Sequence, residues 1–310
     1  MPQISVVMAA KDYARFLPTA VGSVLRQTLT DWELVIVDDG SADGTPAAVA
    51  PYLADRRIRY VRSDKLGQPR AKNLGARLTT GDWIAYLDAD DAWLPNKLEA
   101  QLAELARHPA AGVAFCLRTL IGEDGEPLPD QPAAPPPPRG EVLSALFARN
   151  FVCFSSVLIR REVFEAVGGF DPDLDLAIDY DFWLRAARHT EFACVDDKLV
   201  LYRTGHGNLS KKLADRVLTA DSIMTRAVER RGLADILRAG QIGEGYASTY
   251  RALAYTLRPS EPWAAAKWYW RAAMCRGNRP AAVKGLATAM ARWAGGRREV
   301  AGGENATANR

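Results

Sequence analysis

Short β-rich runs alternate with helical patterns through the N-terminal third of this chain, and that alternation narrows its possible folds more than any other feature. The runs are Ile4–Met8, Glu33–Val37, Ile58–Val61 and Trp83–Leu87. After the first, Leu17, Val21, Val24 and Leu25 recur at helical spacing. After the second, Ser41-Ala42-Asp43-Gly44-Thr45-Pro46 reads as a turn and a helix start with proline in its first turn. After the third, Gly67-Gln68-Pro69-Arg70-Ala71-Lys72-Asn73 leads into a helix that runs to about Leu78. Strands separated by helices imply an α/β fold, a mostly parallel sheet wrapped by helices.

Two of the runs end in acids. Glu33–Val37 continues into Asp38-Asp39-Gly40-Ser41, and Trp83–Leu87 into Asp88-Ala89-Asp90-Asp91. Residues two apart in an extended chain face the same way, so Asp88 and Asp90 can point together beyond the strand end. Clustered carboxylates repel one another unless they are solvated, protonated or neutralised by a cation. Oxygen ligands suit a hard divalent ion, Mg²⁺ or Mn²⁺, which keeps substrate phosphates in its shell. The carboxyl ends of strands are also where open α/β sheets place their ligands. Taken alone, Asp91-Ala92-Trp93-Leu94-Pro95 also reads as a helix-capping acidic loop. The remainder of the chain favours the site.

Downstream, a helix is expected at 95–107, a strand at 112–116, and a mobile or extended surface loop at 122–139, where Pro132 to Pro138 is proline-rich. Residues 151–159 read as strand, Arg161 to Val167 as a short helix, and Gly168-Gly169-Phe170-Asp171-Pro172 as a tight turn. Asp179-Tyr180-Asp181-Phe182-Trp183-Leu184 opens a helix, and Lys198–Arg203 is a last strand. From about Ser210 the patterns are helical, with breaks near Gly232, Pro259 and Pro280, and 295–310 is expected to be disordered. The expected division is a catalytic domain at 1–210, a helical region at 211–294, and the tail. Within the first, the halves are 1–110 and 111–210.

Composition sets bounds. With 310 residues, 48% hydrophobic and 25% charged, the chain is ordinary for a globular enzyme. No 18-residue apolar run is present and no signal peptide is visible, so a cytoplasmic protein is expected. Cys116, Cys153, Cys194 and Cys275 are scattered, with no metal-ligand spacing, and are expected to be reduced thiols. The net charge of +3 hides an asymmetry: residues 211–310 carry 18 Lys/Arg against 8 Asp/Glu, and the first 210 carry 22 against 29. An acidic first part and a basic tail suggest that the tail meets something anionic, a membrane surface or a charged acceptor. Trp263, Trp268, Trp270 and Trp293 sit among these basic residues. They are expected to pack the terminal helices, with a peripheral contact on the inner face of the membrane as the alternative.

The residues at the strand ends meet the needs of a nucleotide diphosphate. Asp39 can accept from a base imide or ribose hydroxyls, and Arg70 and Lys72 can meet the base or the phosphates. Neither a Walker-type lysine loop nor a Gly-x-Gly-x-x-Gly follows the first strand, which disfavours P-loop enzymes and dinucleotide dehydrogenases. No nucleic-acid partner is indicated.

Ile4–Met8, Ser23-Val24-Leu25-Arg26-Gln27-Thr28, Glu33 to Ser41, Leu66-Gly67-Gln68-Pro69-Arg70-Ala71-Lys72-Asn73-Leu74-Gly75 and Gly81 to Asp91 together resemble the family 2 glycosyltransferases of GT-A fold, and the last block contains that family's DxD motif. The resemblance implies a Rossmann-like, mostly parallel mixed sheet flanked by helices, with a C-terminal helical appendage here. It implies an inverting transfer from a nucleotide-diphosphate sugar, UDP-linked, to a saccharide or lipid-linked acceptor in surface polysaccharide synthesis. It places Ala9, Asp12, Asp38, Asp39, Arg70, Asp88 and Ala89 at the donor, and Asp88, Asp90 and His206 at Mn²⁺ or Mg²⁺. It makes Asp179 the general base and leaves Asp181 a structural or capping role. The chain departs from the family at Ala9-Ala10-Lys11-Asp12, which replaces a Pro-x-Tyr-Asn-like segment, and at Ile178, where a Glu is common. Trp93 and Trp183 are expected in the core, and Ser155 and Ser156 are given a plain strand role. The alternatives are a sugar nucleotidyltransferase, which would want a Gly-rich basic loop after the first strand, and a non-catalytic nucleotide-sugar-binding scaffold.

Overall fold

The computed structural model describes residues 2–129, 135–205, 213–275 and 280–290. It divides into two compact units, the first formed by Met1–Leu143 and Phe151–Asn208, the second by Ser144–Asn150 and Leu209–Arg310. The division is not continuous along the chain, because the short segment Ser144–Asn150 belongs with the C-terminal residues.

The first unit is built on one eight-stranded sheet. Its strands are β1 (Ile4–Ala10), β2 (Trp32–Asp38), β3 (Ile58–Arg62), β4 (Trp83–Tyr86), β5 (Ala92–Trp93), β6 (Ala111–Ile121), β7 (Leu158–Arg160) and β8 (Glu191–Arg203), in the order β3-β2-β1-β4-β7-β6-β8-β5. β3, β2, β1 and β4 are mutually parallel, β7 runs antiparallel between β4 and β6, and β5 runs antiparallel to β8. The sheet is therefore mixed and mostly parallel, as expected. Ile4, Val6, Met8, Leu34 and Ile36 are fully buried, and Leu17, Ala20, Val21 and Val24 of helix α1 (Leu17–Leu25) pack on that face. On the other face Ala71 and Leu74 of α3 (Gln68–Arg77) meet Val35 and Val37. Near-continuous apolar strands are what burial on both faces demands.

Proline opens α1, α2 (Thr45–Val49) and α3, where its missing N–H and fixed φ cost nothing. Helix α4 (Lys97–Arg107) starts two residues later than its pattern suggested, because Ala92–Trp93 is drawn into the sheet as β5. The run at 151–159 is not one strand: Phe154–Ser156 is a single 3₁₀ turn and only Leu158–Arg160 pairs. A short apolar run signals burial, and burial fits a tight turn as well as a strand. β6 and β8 are longer than expected and pair in parallel with a bulge near Leu117. The start of the proline-rich stretch is tied down, as Gly122 and Glu126 close a turn and Leu128 bonds back to Leu120. Residues 130–134 and the expected tail at 295–310 lie outside the described residues.

α5 (Leu143–Ala148), α6 (Arg161–Val167) and α7 (Ile178–Ala186) precede β8. The second unit contains α8 (Leu213–Arg230), α9 (Ala239–Leu257), α10 (Pro262–Met274) and helical residues 280–290. Trp93 and Trp183 are buried, as expected, and Trp268 is partly buried against the alanine-rich seam of the C-terminal helices. Trp263 and Trp270 do not follow the packing expectation: they are 51% and 58% exposed.

Candidate active site

The carboxyl end of β2 holds the first acidic pair. Asp38 is fully buried and accepts hydrogen bonds from the Ser41 N–H at 2.8 Å and from the Tyr60 hydroxyl, with Arg62 Nη1 3.6 Å away. Burial pushes its carboxyl up, but the Ser41 and Tyr60 bonds and the Arg62 charge more than offset that and leave it below the usual range. Asp39 accepts from Ser63 Oγ at 3.1 Å and from the backbone N–H groups of Leu66 and Gly67. It thus pins the segment that opens α3. Gly67, at φ +85°, makes the turn into that helix. Asp12 bridges to the same region: its N–H donates to Ser41 Oγ at 2.9 Å and its Oδ1 accepts from the Ala42 N–H at 2.7 Å. The side chain is occupied in holding the loop after β1 to the loop after β2. Ala9 lies near the end of β1, half-buried and paired with Val37.

A second network surrounds the acids after β4. Lys72 of α3, only 2% exposed, donates to Asp88 Oδ1 at 2.6 Å and sits 3.5 Å from the centre of the Phe154 ring. The Asp88 N–H donates to Ser155 Oγ, and Ser155 Oγ donates to Asp91 Oδ2 at 2.5 Å. Asp91 Oδ1 accepts from the Arg203 N–H at 2.8 Å, while Arg203 Nε donates to the Asp90 carbonyl at 2.8 Å and Nη1 to those of Gly122 and Glu123. Burial first, then the charge on Asp88, pushes the Asp90 carboxyl up to about 7. Asp91 is also raised well above the carboxylate range by burial and by its two acidic neighbours. The Tyr13 hydroxyl is raised by burial and by the charges of Asp90, Asp88 and Asp91. Ala89 is buried between them.

Asp179 stands in the first turn of α7, half-buried. Asp181, two residues on, is fully buried and ion-paired to Arg185 at 2.7 Å, and Arg185 also donates to the carbonyls of Val167 and Gly169. It has the structural role expected of it. Arg70, expected at the donor, is drawn instead into an exposed ion pair with Asp173, Nη2 to Oδ1 3.2 Å. His206 lies outside the described residues. The bonded groups are therefore Asp12, Asp38 and Asp39 in one network, Asp88 to Asp91 in another, and Asp179 on a third element. Arg203 was expected only to add positive charge near the site; its bonds to the acidic loop, the role of Ser155 and the pairing of Lys72 with Asp88 were not foreseen. An unusual polar residue closing an apolar run, such as Ser155 after Phe154, was the only local signal.

The donor set at Asp88 and Asp90 fits a hard divalent ion. Both are carboxylates, and burial and the neighbouring Asp88 charge disfavour the charged form of Asp90, while Lys72 and Arg203 favour it. Among the described residues no group of three His, Cys, Asp or Glu side chains forms a complete cage.

The glycosyl transferase family 2 profile matches residues 5–168. Chondroitin synthase of Escherichia coli is 28% identical over 217 residues, a match covering 69% of this chain and 31% of that protein. The chain spans about half or less of the first curated relatives it matches. Among solved structures, the mannosyltransferase PcManGT from Pyrobaculum calidifontis, in complex with GDP-Man and Mn²⁺, has a TM-score of 0.62 at 22% identity, over 94% of this chain and 80% of that one. TarS 1–349 of Staphylococcus aureus, in complex with UDP-GlcNAc, has a TM-score of 0.59 at 12% identity, over 95% and 92%. At such identities these two likenesses speak for the fold alone. With its matched stretch running from β1 through α6, more than half of its length, the chain belongs to glycosyl transferase family 2.

Proposed function

We propose that the protein is an inverting glycosyltransferase that moves a sugar from a nucleotide-diphosphate donor, UDP-linked, to a hydroxyl of a saccharide or lipid-linked acceptor during surface polysaccharide synthesis. The observation that carries this reading is the placement of Asp88 and Asp90 at the end of β4, with Asp90 buried and its carboxyl pushed up to about 7. Such a pair is relieved when a cation and a diphosphate arrive together. Support for a saccharide acceptor comes from the relative named a chondroitin synthase, and support for the donor class from the folds solved with UDP-GlcNAc and with GDP-Man and Mn²⁺.

In this reading Asp38 and Asp39 shape the nucleoside pocket. Asp39 does so partly by holding the backbone of Leu66 and Gly67, and its carboxylate has lone pairs left for a base or ribose. Asp88 and Asp90 would hold Mn²⁺ or Mg²⁺, which when bound neutralises the charge that develops on the departing diphosphate. Lys72 keeps Asp88 in place from below the loop. Asp179 takes the proton of the acceptor hydroxyl as it attacks the anomeric carbon, and a single displacement with one base inverts that centre. Asp181, clamped by Arg185, keeps the first turn of α7 in position. The domain roles follow: the nucleotide-sugar half at 1–110, the acceptor half at 111–210.

The test is calorimetric titration of UDP, GDP and dTDP, each with and without Mn²⁺. One nucleotide is expected to bind tightly only with metal, and Asp90→Ala is expected to abolish that dependence. Binding of none of the three under either condition would sink the donor site.

A further inference from the structure

The last two helical segments of the C-terminal unit each bury one side and expose another of different chemistry. Ala265, Ala266, Tyr269 and Ala272 of α10 are buried, and the first three pack with Ala254 and Ala289. On the opposite side Trp263, Lys267, Trp270, Arg271 and Met274 are exposed. Their spacing of four, three, one and three residues makes one continuous side of a helix with 3.6 residues per turn. Trp270 is 58% and Met274 66% exposed. Within 280–290, exposed Val283, Lys284, Ala287 and Met290 repeat the pattern. Neither α10 nor 280–290 contains an acidic residue.

A side meant only for water would mix acids with bases and carry few large apolar groups. An indole, a thioether and basic groups without acids suit another medium, the boundary between anionic headgroups and acyl chains. There indole rings settle at headgroup level, aliphatic side chains reach below, and ammonium and guanidinium groups extend back to the phosphates. The excess of 18 Lys/Arg over 8 Asp/Glu in residues 211–310 draws this unit toward such a surface. A soluble acidic polymer would satisfy the charge but leave Trp270, Met274 and Met290 in water. A second copy meeting the first through the same face would set Lys267 and Arg271 against their own equivalents. None of the described helices is long and apolar enough to cross a bilayer, so the contact lies in the plane of the surface.

We infer that this face of α10, with the matching face of 280–290, docks the protein onto an anionic lipid bilayer. The inference goes beyond the glycosyl-transfer reading and does not rest on it. The test is co-sedimentation of the full chain with vesicles of phosphatidylglycerol and phosphatidylcholine, and with phosphatidylcholine alone. Binding to the anionic vesicles is expected to exceed neutral binding by about tenfold or more, the scale set by two basic residues near the surface. Trp270→Ser with Met274→Ser, and separately Lys267→Gln with Arg271→Gln, are each expected to lower it about tenfold, with helical circular dichroism unchanged. The Arg271 guanidinium also lies 4.7 Å from the centre of the Trp268 ring, so Lys267→Gln alone, which leaves that contact intact, tests the face if either pair misfolds. Equal sedimentation with both vesicle types, or binding indifferent to the charge pair, would overturn the inference. So would a concentration-dependent dimer lost in the Trp270/Met274 pair without any vesicle binding.

Discussion

Asp179 heads α7, where the N–H groups of a first helical turn favour a carboxylate. In the proposed role of general base it would contribute to the rate and not to holding the nucleotide. Asp179→Asn is therefore expected to slow sugar transfer by about 10²–10⁴-fold, while calorimetry finds nucleotide affinity unchanged. A matching loss of nucleotide affinity would move Asp179 to the donor. The carboxylates at the ends of β2 and β4 could be read directly from the chain, because a buried strand that runs into acids announces its end. Their partners could not. Ser155 lies 64 positions from Asp91 and Arg203 112 positions from it, and no periodicity reports a contact across such distances. Arg70 illustrates the converse: a basic residue at the right place in sequence is held by Asp173, on the segment that leads to α7.

At the scale of elements, α3 connects the sheet to the acidic loop. Its Gly75 lies against β1 and β2 so closely that an added Cβ would come 2.4 Å from Val7 Cγ1 and 3.4 Å from Val37 Cγ2. Gly75→Ala would push the helix outward. It is expected to cost about 1–3 kcal/mol in urea unfolding, the usual range for an overpacked contact, and to weaken nucleotide-dependent metal binding, because the same helix delivers Lys72 to Asp88. An unchanged midpoint and unchanged affinity would show that the sheet yields instead. β1, β2 and β4 were legible as apolar runs between turn residues, and β3 as a short β-rich run between them. β5, of two residues, was not, and the three residues of β7 were read only as the end of a longer run at 151–159. Such strands exist only because longer neighbours offer them an edge, and their own sequences carry no period to detect.

For the molecule as a whole, stability at alkaline pH is tied to one buried cation. Lys97 is fully buried, donates to Gln101 Oε1 at 2.7 Å, and lies 4.0 Å from the Trp93 ring. Burial pushes its ammonium from the ordinary 10.5 down to about 8. Between those values the unfolded chain holds the proton more firmly than the folded one, so this residue makes stability rise with pH across that window. Cys116, raised to about 11 by burial, acts in the opposite sense at the upper end. The informative quantity is therefore a difference between proteins. Denaturant unfolding at pH 8 and pH 10 is expected to show wild type gaining about 2 kcal/mol relative to Lys97→Met over the interval. A parallel change in both would show that Lys97 is not the group responsible. The acidic loop carries a different consequence. It leaves β4 in the middle of the sheet and reaches β5 at its edge, with β7, β6 and β8 lying between them. A chain made from its N-terminus thus releases Asp88, Asp90 and Asp91 long before Ser155, and longer still before Arg203. Until β8 has emerged, Lys72 can hold Asp88, but Asp91 lacks the clamp that the Arg203 N–H supplies. The acidic loop thus gains its last clamp only when β8 is made, and the order of synthesis delays its final arrangement until the sheet is complete.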